Sequence, residues 1–414
     1  MQIRKYAFNH IPFVALVDEF DCPVCPYASA YLSTIHGQAF NTQVRKAQEL
    51  LFVLEYFQKI GVSLVERMAS GKLITQTEYF QFHRASASKK NSGSGSDNSV
   101  VLLDVSDKRL RNAISANAQQ LSCVQNETQA GRIRRLRQYL EMLYTHFYDA
   151  HSIDPEIAER YEKLRAAMRM DEDSLGKNNF QGVTDSTESA IPDDVFLKML
   201  EMILPSSPHN PFKGSKVRNY LIVSILTQSG IRRGALAKLK ISDLVMHGTS
   251  DQIKIYRSGI DVTDTRLDKP NQKSKAHLAT IHKNLMRQIN HYINHVRQKI
   301  PDSQFHDFIF VSEKDSRGTL GRPLSLKSLN AIFAVLSKAL GFDMHPHLLR
   351  HKWNEVFDVK GTEMGVESRI LEEARRYAMG WVAGSSMNDI YNDKRLAAKS
   401  RQISLAHQGR IDGQ

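Results

Sequence analysis

The chain has 414 residues, 41% hydrophobic and 24% charged: ordinary globular material, long enough for two or three domains. Its net charge of +12 points to an anionic partner, nucleic acid or a membrane surface. The longest apolar runs, such as Leu221 to Leu226, are far too short to span a bilayer, and three cysteines give no disulfide framework, so a cytoplasmic protein is expected.

Near the start, the apolar segment after Arg4 and Lys5 is broken by Asn9, His10 and Pro12 and runs into Asp18 and Glu19, unlike a signal peptide. Residues 1–40 are otherwise mixed. Cys22-Pro-Val-Cys25 is half of a zinc-site spacing, with His36 and Cys123 as the available completions. A tight Pro-containing loop is the plainer reading, and no metal is expected. Val44, Ala47, Leu51, Leu54 and Phe57 recur at three or four, which predicts a helix over 42–60 that stops at Gly61. A short helix is expected from Thr75 to Arg84. Ala85 to Ser99 reads ASASKKNSGSGSDNS, a flexible linker, with order resuming near Val100.

The clearest helix of the first half covers 127–148, where Ile133, Leu136, Leu140, Leu143 and Phe147 form a stripe. Arg132, Arg134, Arg135 and Arg137 crowd its start. They form either a solvated face or, in so basic a chain, a helix that tracks DNA phosphates; the second reading is adopted. Asp171 to Ala190 is polar and reads as a linker. The expected layout is a helical, DNA-binding domain over 1–175, a linker over 176–190 and a second domain over 191–414.

In the second half, Pro192-Asp-Asp opens a helix with acids in its first turn, continued by Leu197, Leu200, Met202 and Ile203. An apolar helix covers Tyr220 to Gln228 and stops at Gly230. Gln252 to Tyr256 alternates like a strand, His277 to Ile281 is its partner, and Lys269 to Lys275 lie near the hairpin between them. Helices follow over Asn284 to Lys299 and Lys327 to Leu340, with a short buried run at Phe308 to Val311. The fold class expected is mainly α, with a small antiparallel β-sheet in the C-terminal domain.

Three motifs carry chemistry. In Ser229-Gly-Ile-Arg-Arg-Gly-Ala-Leu an arginine lies beside the amides of a helix start, a natural place to hold an oxyanion. Alone, a surface turn with two arginines is the better reading. His345-Pro-His-Leu-Leu-Arg-His351 puts His347 and Arg350 at i and i+3, on one helix face. Met379-Gly-Trp381 and then Tyr391 follow, the tyrosine ten residues past the tryptophan.

This order resembles the tyrosine recombinase (phage integrase) family, over most of 190–405 and more loosely over 40–150. The family's first arginine box is matched by Gly230, Ile231, Arg232, Gly234, Leu236, Leu239 and Asp243. Its second, His-x-Leu-Arg-His, is matched by His347, Leu349, Arg350 and His351, approached by Asp307-Phe-Ile-Phe-Val and Gly321-Arg-Pro-Leu-Ser. Two departures stand out. The acid common three places after the first arginine is Ala235, which puts that arginine's positioning in question. The usual Leu-Gly-His is Met379-Gly-Trp381, a replacement in which an indole N–H stands in for the histidine.

The resemblance implies a tyrosine recombinase catalytic fold preceded by an all-α core-binding domain. It implies Arg232 and Arg350 gripping the non-bridging oxygens of a scissile phosphate with planar forks, His347 exchanging a proton with the nucleophile and Trp381 donating a hydrogen bond. Tyr391 attacks to give a 3′-phosphotyrosyl link, which conserves the phosphodiester's energy. No metal or cofactor is required. The hairpin lysine, which protonates the leaving 5′-oxygen, is assigned to Lys273, with Lys269 and Lys275 competing. Tyr377 is the rival nucleophile, better read as a helix or core tyrosine. The partners implied are double-stranded DNA, a tetramer of this chain on synapsed DNA, and a place for a partner recombinase. The basic stretch from Lys394 to Arg410 docks either on a neighbouring subunit or on its own domain. Two other readings share the residues: a non-catalytic DNA-binding accessory protein of a mobile element, and a type IB topoisomerase-like enzyme.

Overall fold

Two units make up the chain, residues 1–182 and 183–414, each with its own apolar core. A computed structural model describes residues 1–8, 11–89, 123–148, 154–177, 191–246, 250–259, 261–272 and 274–382.

The first unit opens with an antiparallel hairpin of β1 (Gln2–Phe8) and β2 (Ile11–Val17), Gln2 opposite Val17. Val14 and Leu16, two residues apart and so on one face, are buried. This hairpin departs from the all-helical expectation: β1 offers no apolar alternation, because Arg4 and Lys5 are adjacent and exposed. α1 (Pro26–Ser33) starts with proline in its first turn, after Cys25 at the N-cap. The Cys25 thiol lies 3.9 Å from the Tyr139 hydroxyl. Among the described residues, no three His, Cys, Asp or Glu side chains are placed to hold a metal ion.

α2 (Phe40–Lys59) buries Ala47, Leu50, Leu51, Val53 and Phe57. α3 (Leu64–Ala69) is capped by Ser63, and α4 (Gln76–Ser86) by a Thr75–Glu78 capping box, which satisfies orphan amides at the helix start. The central helix α5 (Asn126–Phe147) buries Ile133, Leu136, Tyr139, Leu140 and Leu143 at helical spacing. α6 (Pro155–Lys177) packs along it.

Two expectations are corrected here. The stretch from Asp171 read as linker is still helix to Lys177. Its polar residues are used inside the unit: Asp171 accepts from the Tyr79 hydroxyl at 2.6 Å, and Glu172 accepts from Arg134 and Arg137. The second correction concerns the arginines expected to track DNA. Arg135 is 1% exposed and its guanidinium reaches Glu49 at 2.7 Å. Arg132 is buried and donates to the carbonyls of Ser86 and Ser88, at 2.7 and 2.8 Å. Arg137 meets Glu172 at 3.1 Å, and the more exposed Arg134 shares that carboxylate. A buried charge demands compensation, so these four side chains bind the unit together. The remainder of the expected Ser/Gly linker (90–99), the return of order near Val100 and the basic stretch 394–410 lie outside the described residues.

The second unit holds α7 (Asp193–Met202), α8 (Lys216–Ser229) and the short α9 (Arg233–Lys238). A three-stranded antiparallel sheet follows, in the order β3 (Leu244–Val245), β4 (Gln252–Ile255), β5 (His277–Thr280). α10 (Lys283–His295), α11 (Leu326–Leu340), α12 (Pro346–Glu363) and α13 (Ser368–Ala378) complete it. The expected helix to Lys299 breaks at Val296. The buried guanidinium of Arg297 draws the chain around itself, donating to the carbonyls of Phe308 and Ser303 at 2.8 and 2.7 Å. Phe308 to Val311 is buried as expected, and its ends pair with Lys240 and Pro323 through isolated bridges. Among the described residues no helix is long and apolar enough to cross a membrane. The mainly helical architecture and the small antiparallel sheet of the second unit are as the residue periodicity predicted, whereas the N-terminal hairpin is not.

Candidate active site

The apolar helix α8 ends at Gly230, whose φ of +59° lies in the left-handed region. A side chain there would be strained, and its Cβ would come within 2.9 Å of Met379 and Trp353. Glycine therefore lets the α8–α9 turn sit directly against the later motif. The chain leaves the turn extended, and Arg232 becomes the N-cap residue of α9. Its Nη1 donates to the Ser274 hydroxyl on the β4–β5 connection. The adjacent Arg233 reaches instead to Asn330 on α11. A Cβ on Gly234 would come 2.8 Å from the Asn271 carbonyl, so the small residue at that place allows the connection to close on α9. Ala235 is buried in the core, and supplies no carboxylate beside Arg232.

α12 begins with His345 at the N-cap and Pro346 at its first position. Leu348 and Leu349 are buried in the core, and they carry Arg350 inward to 2% exposure. Its Nη1 donates to the Gly230 carbonyl at 2.6 Å and its Nη2 to that of Met379 at 3.4 Å. The guanidinium lies 5.6 Å from the centre of the Trp381 ring. His347 sits on the exposed face of the same helix start, and its ring meets that of His351, one turn on, at 4.4 Å.

Arg375 holds α13 in place: it is fully buried and donates to Asp358 on α12. One turn later come Met379, Gly380 and Trp381. Gly380 has φ +61°, and a Cβ there would lie 2.3 Å from the His277 Nδ1. The Gly380 carbonyl accepts from the Lys275 amide at 2.8 Å. Trp353 fixes the other side, its indole N–H donating to the Gln228 carbonyl at 2.8 Å.

Residues 198–395, which include this whole arrangement, match the profile described as the Phage integrase family. That segment, just under half of the chain, is similar to the phage integrase family. Similar curated proteins include Transposase A from transposon Tn554 of Staphylococcus aureus, 26% identical over 136 residues, which cover 32% of this chain and 34% of the transposase. The Type 1 fimbriae regulatory protein FimB of Escherichia coli is 23% identical over 158 residues, covering 38% of this chain and 66% of FimB. The match thus spans about a third of the transposase's length and about two thirds of FimB's. Among solved structures, XerH recombinase bound to its difH substrate aligns over 90% of this chain and 82% of its own, with TM-score 0.47 and 15% identity. A lambda integrase dimer on a core site aligns over 94% and 95%, with TM-score 0.37 and 13% identity.

Within this integrase-like unit, Arg232, Arg350 and Trp381 come together around the Gly230 turn and Met379. His347 lies one helical turn before Arg350. Lys273 and Tyr391 fall outside the described residues. Of the other lysines, Lys275 is tied through its backbone to Gly380, and Lys269 is half-buried in the same connection. Tyr377 is 73% exposed on the surface of α13, the helix-surface tyrosine expected. Asp243 accepts from the Lys240 amide at 2.9 Å and so shapes the turn after α9.

Sequence reasoning passed over Ser274, His277 and the Arg375–Asp358 pair. Ser274 was visible only as the residue between two lysines, and His277 only as the first residue of a strand. His277 Nδ1 faces the Lys275 carbonyl at 2.9 Å. Burial, and then the charges of Arg350 and Arg232, push its pKa below the ordinary histidine value. Lys238 on α9 is lowered to about 8, chiefly by burial, and its ammonium donates to Asn271 at 3.0 Å.

Proposed function

We propose that this chain is a site-specific DNA recombinase, of a mobile genetic element or phage, that cuts and rejoins DNA strands through a 3′-phosphotyrosyl intermediate. The observation that carries the reading is the convergence of Arg232 and Arg350 on the Gly230 turn, with Trp381 against the second guanidinium. Two planar cations near one turn, both acting on His277, suit a phosphodiester, because each fork matches a pair of phosphate oxygens. Fixed donors aimed where negative charge grows stabilise the pentavalent transition state.

In this reading Tyr391 attacks the phosphorus, and His347 takes the phenolic proton. The bond to the 5′-oxygen breaks, a lysine of the β4–β5 connection protonates that oxygen, and the Trp381 indole donates to the phosphate. Lys273 is the lysine chosen from the sequence. The backbone bond from Lys275 to Gly380 makes Lys275 an equal candidate, since it fixes that residue beside the Trp381 turn. Double-stranded DNA is the substrate, and a tetramer on synapsed DNA is the working form, with or without a partner recombinase. The residues present provide proton donors and acceptors for every step.

A second reading, a DNA-binding accessory protein, is favoured by one feature: Ala235 stands where the family carries an acid. Nicked suicide duplexes drawn from a randomised library distinguish the two. The recombinase leaves a covalent protein–DNA adduct stable to denaturant, and Tyr391→Phe abolishes the adduct while DNA binding persists. Binding without any adduct supports the accessory reading, and an adduct that survives Tyr391→Phe overturns the nucleophile.

A further inference from the structure

The β4–β5 connection brings a second titratable group to the arginines, besides its lysines. The His277 ring packs against Gly380, where a methyl group would collide with it. Its Nδ1 faces the carbonyl oxygen of Lys275 at 2.9 Å. A carbonyl only accepts, so Nδ1 carries the hydrogen, and in the neutral ring Nε2 holds a lone pair. That Nε2 is buried and makes no hydrogen bond among the described residues. An unsatisfied buried acceptor is costly, and native structures keep such groups where function uses them.

Among the described residues, the charged groups acting on the ring are cations: Arg350 from α12 and Arg232 from the start of α9. Lys275 meets it through its backbone carbonyl, and the end of α13 through the uncharged Gly380. With the site empty, those cations and burial hold the ring neutral. A phosphodiester at the two guanidiniums adds one negative charge, which offsets part of their repulsion and favours a proton on the ring.

We propose that His277 is a proton-binding member of the arginine site: neutral when the site is empty, and protonated at Nε2 by a proton from solvent when a DNA phosphate occupies it. The imidazolium then adds a third positive charge to those of Arg232 and Arg350. On release of the phosphate the proton returns to solvent. His277 is a charge-supplying neighbour of the phosphate, distinct in role from His347, which exchanges its proton with the nucleophile. The inference rests on reading Arg232 and Arg350 as a phosphate site.

The test has two arms. In the first, histidine-ring NMR follows His277 in the Tyr391→Phe protein, free and bound to a suicide duplex, which gives a complex that cannot react. The expected result is a neutral ring in the free protein and a protonated Nε2 in the complex at about pH 7. In the second, adduct formation is timed from about pH 6 to about pH 8 for wild type, His277→Asn and His277→Gln. Both amides can keep the hydrogen bond to Lys275. Wild type should speed up toward the acid end, and both variants should lose that acid-side gain, approaching the wild-type alkaline rate. A ring that stays neutral in the complex, or variants that keep the wild-type pH profile, overturns the proposal while leaving the recombinase reading intact. Absence of any adduct with wild type overturns the recombinase reading instead, and the first arm still decides whether bound DNA protonates His277.

Discussion

Each unit of this protein concentrates arginines at one place, and the two clusters are built differently. On α5 the guanidiniums of Arg134, Arg135 and Arg137 end on the carboxylates of Glu172 and Glu49. At the integrase-like site, Arg350 donates to two backbone carbonyls and Arg232 to a hydroxyl. A carboxylate cancels charge. A carbonyl or hydroxyl orients a guanidinium without removing its charge. The first cluster ties helices together, and in the second the neutral oxygens of Gly230, Met379 and Ser274 help to orient the guanidiniums. The same residue type therefore meets different partner atoms in the two units.

The sharpest way to break that contrast is to strip the first cluster of its acid. Glu49→Gln leaves the buried Arg135 uncompensated, and about 3–5 kcal/mol of stability should be lost in urea unfolding. Replacing both Glu49 and Arg135 with Met should restore most of it. If Glu49→Gln unfolds like wild type, the pair is not holding α2 to α5.

The second cluster should respond in rate. Arg350→Lys should slow adduct formation by about 100- to 1000-fold, because an ammonium cannot reproduce the fork. DNA retention on a gel should change far less. A lysine variant with near-normal rates would mean that Arg350 only packs the turn.

A smaller effect concerns acid stability. His277 and His306 both have pKa values lowered, first of all by burial. The unfolded chain therefore binds protons that the folded chain resists once pH falls below about 6.5. Stability should be flat above that value and decline from about pH 6.5 toward pH 5, with His306→Gln flattening part of the decline. Thermal melts across this range check the sign.

The smallest predicted effect is a null. DNA binding should weaken steeply with salt, but Arg134→Ala should leave the slope of log K against log salt unchanged. A phosphate contact would lower that slope by about one. A drop of that size would return the α5 arginines to the DNA interface.

Much of this was legible in the residues. Helical periodicity gave α2, α5 and α11 nearly to their ends, because each carries a long apolar stripe facing its own unit's core, whereas α8 begins at Lys216, four residues before the expected start. The order of Arg232, His347, Arg350 and Trp381 gave the candidate site, because its members lie on helix starts and turns with recognisable glycines. The fate of the α5 arginines was hidden, since Glu49 lies 86 residues from Arg135 and Glu172 lies 38 from Arg134. No local pattern announces such partners. The N-terminal hairpin was hidden because only β2 buries alternate residues. His277 was hidden because its character comes from Gly380 and two arginines, each from a different part of the chain.

The central claim is that a tyrosine of this chain becomes covalently joined to a DNA 3′-phosphate in the arginine site. Trapping the adduct on a suicide duplex, digesting both components and sequencing the nucleotide-bearing peptide by mass spectrometry tests it directly. The account predicts a single modified residue, Tyr391. A nucleotide on Tyr377 or any other residue, or no modified peptide from a duplex that the protein demonstrably cuts, contradicts it.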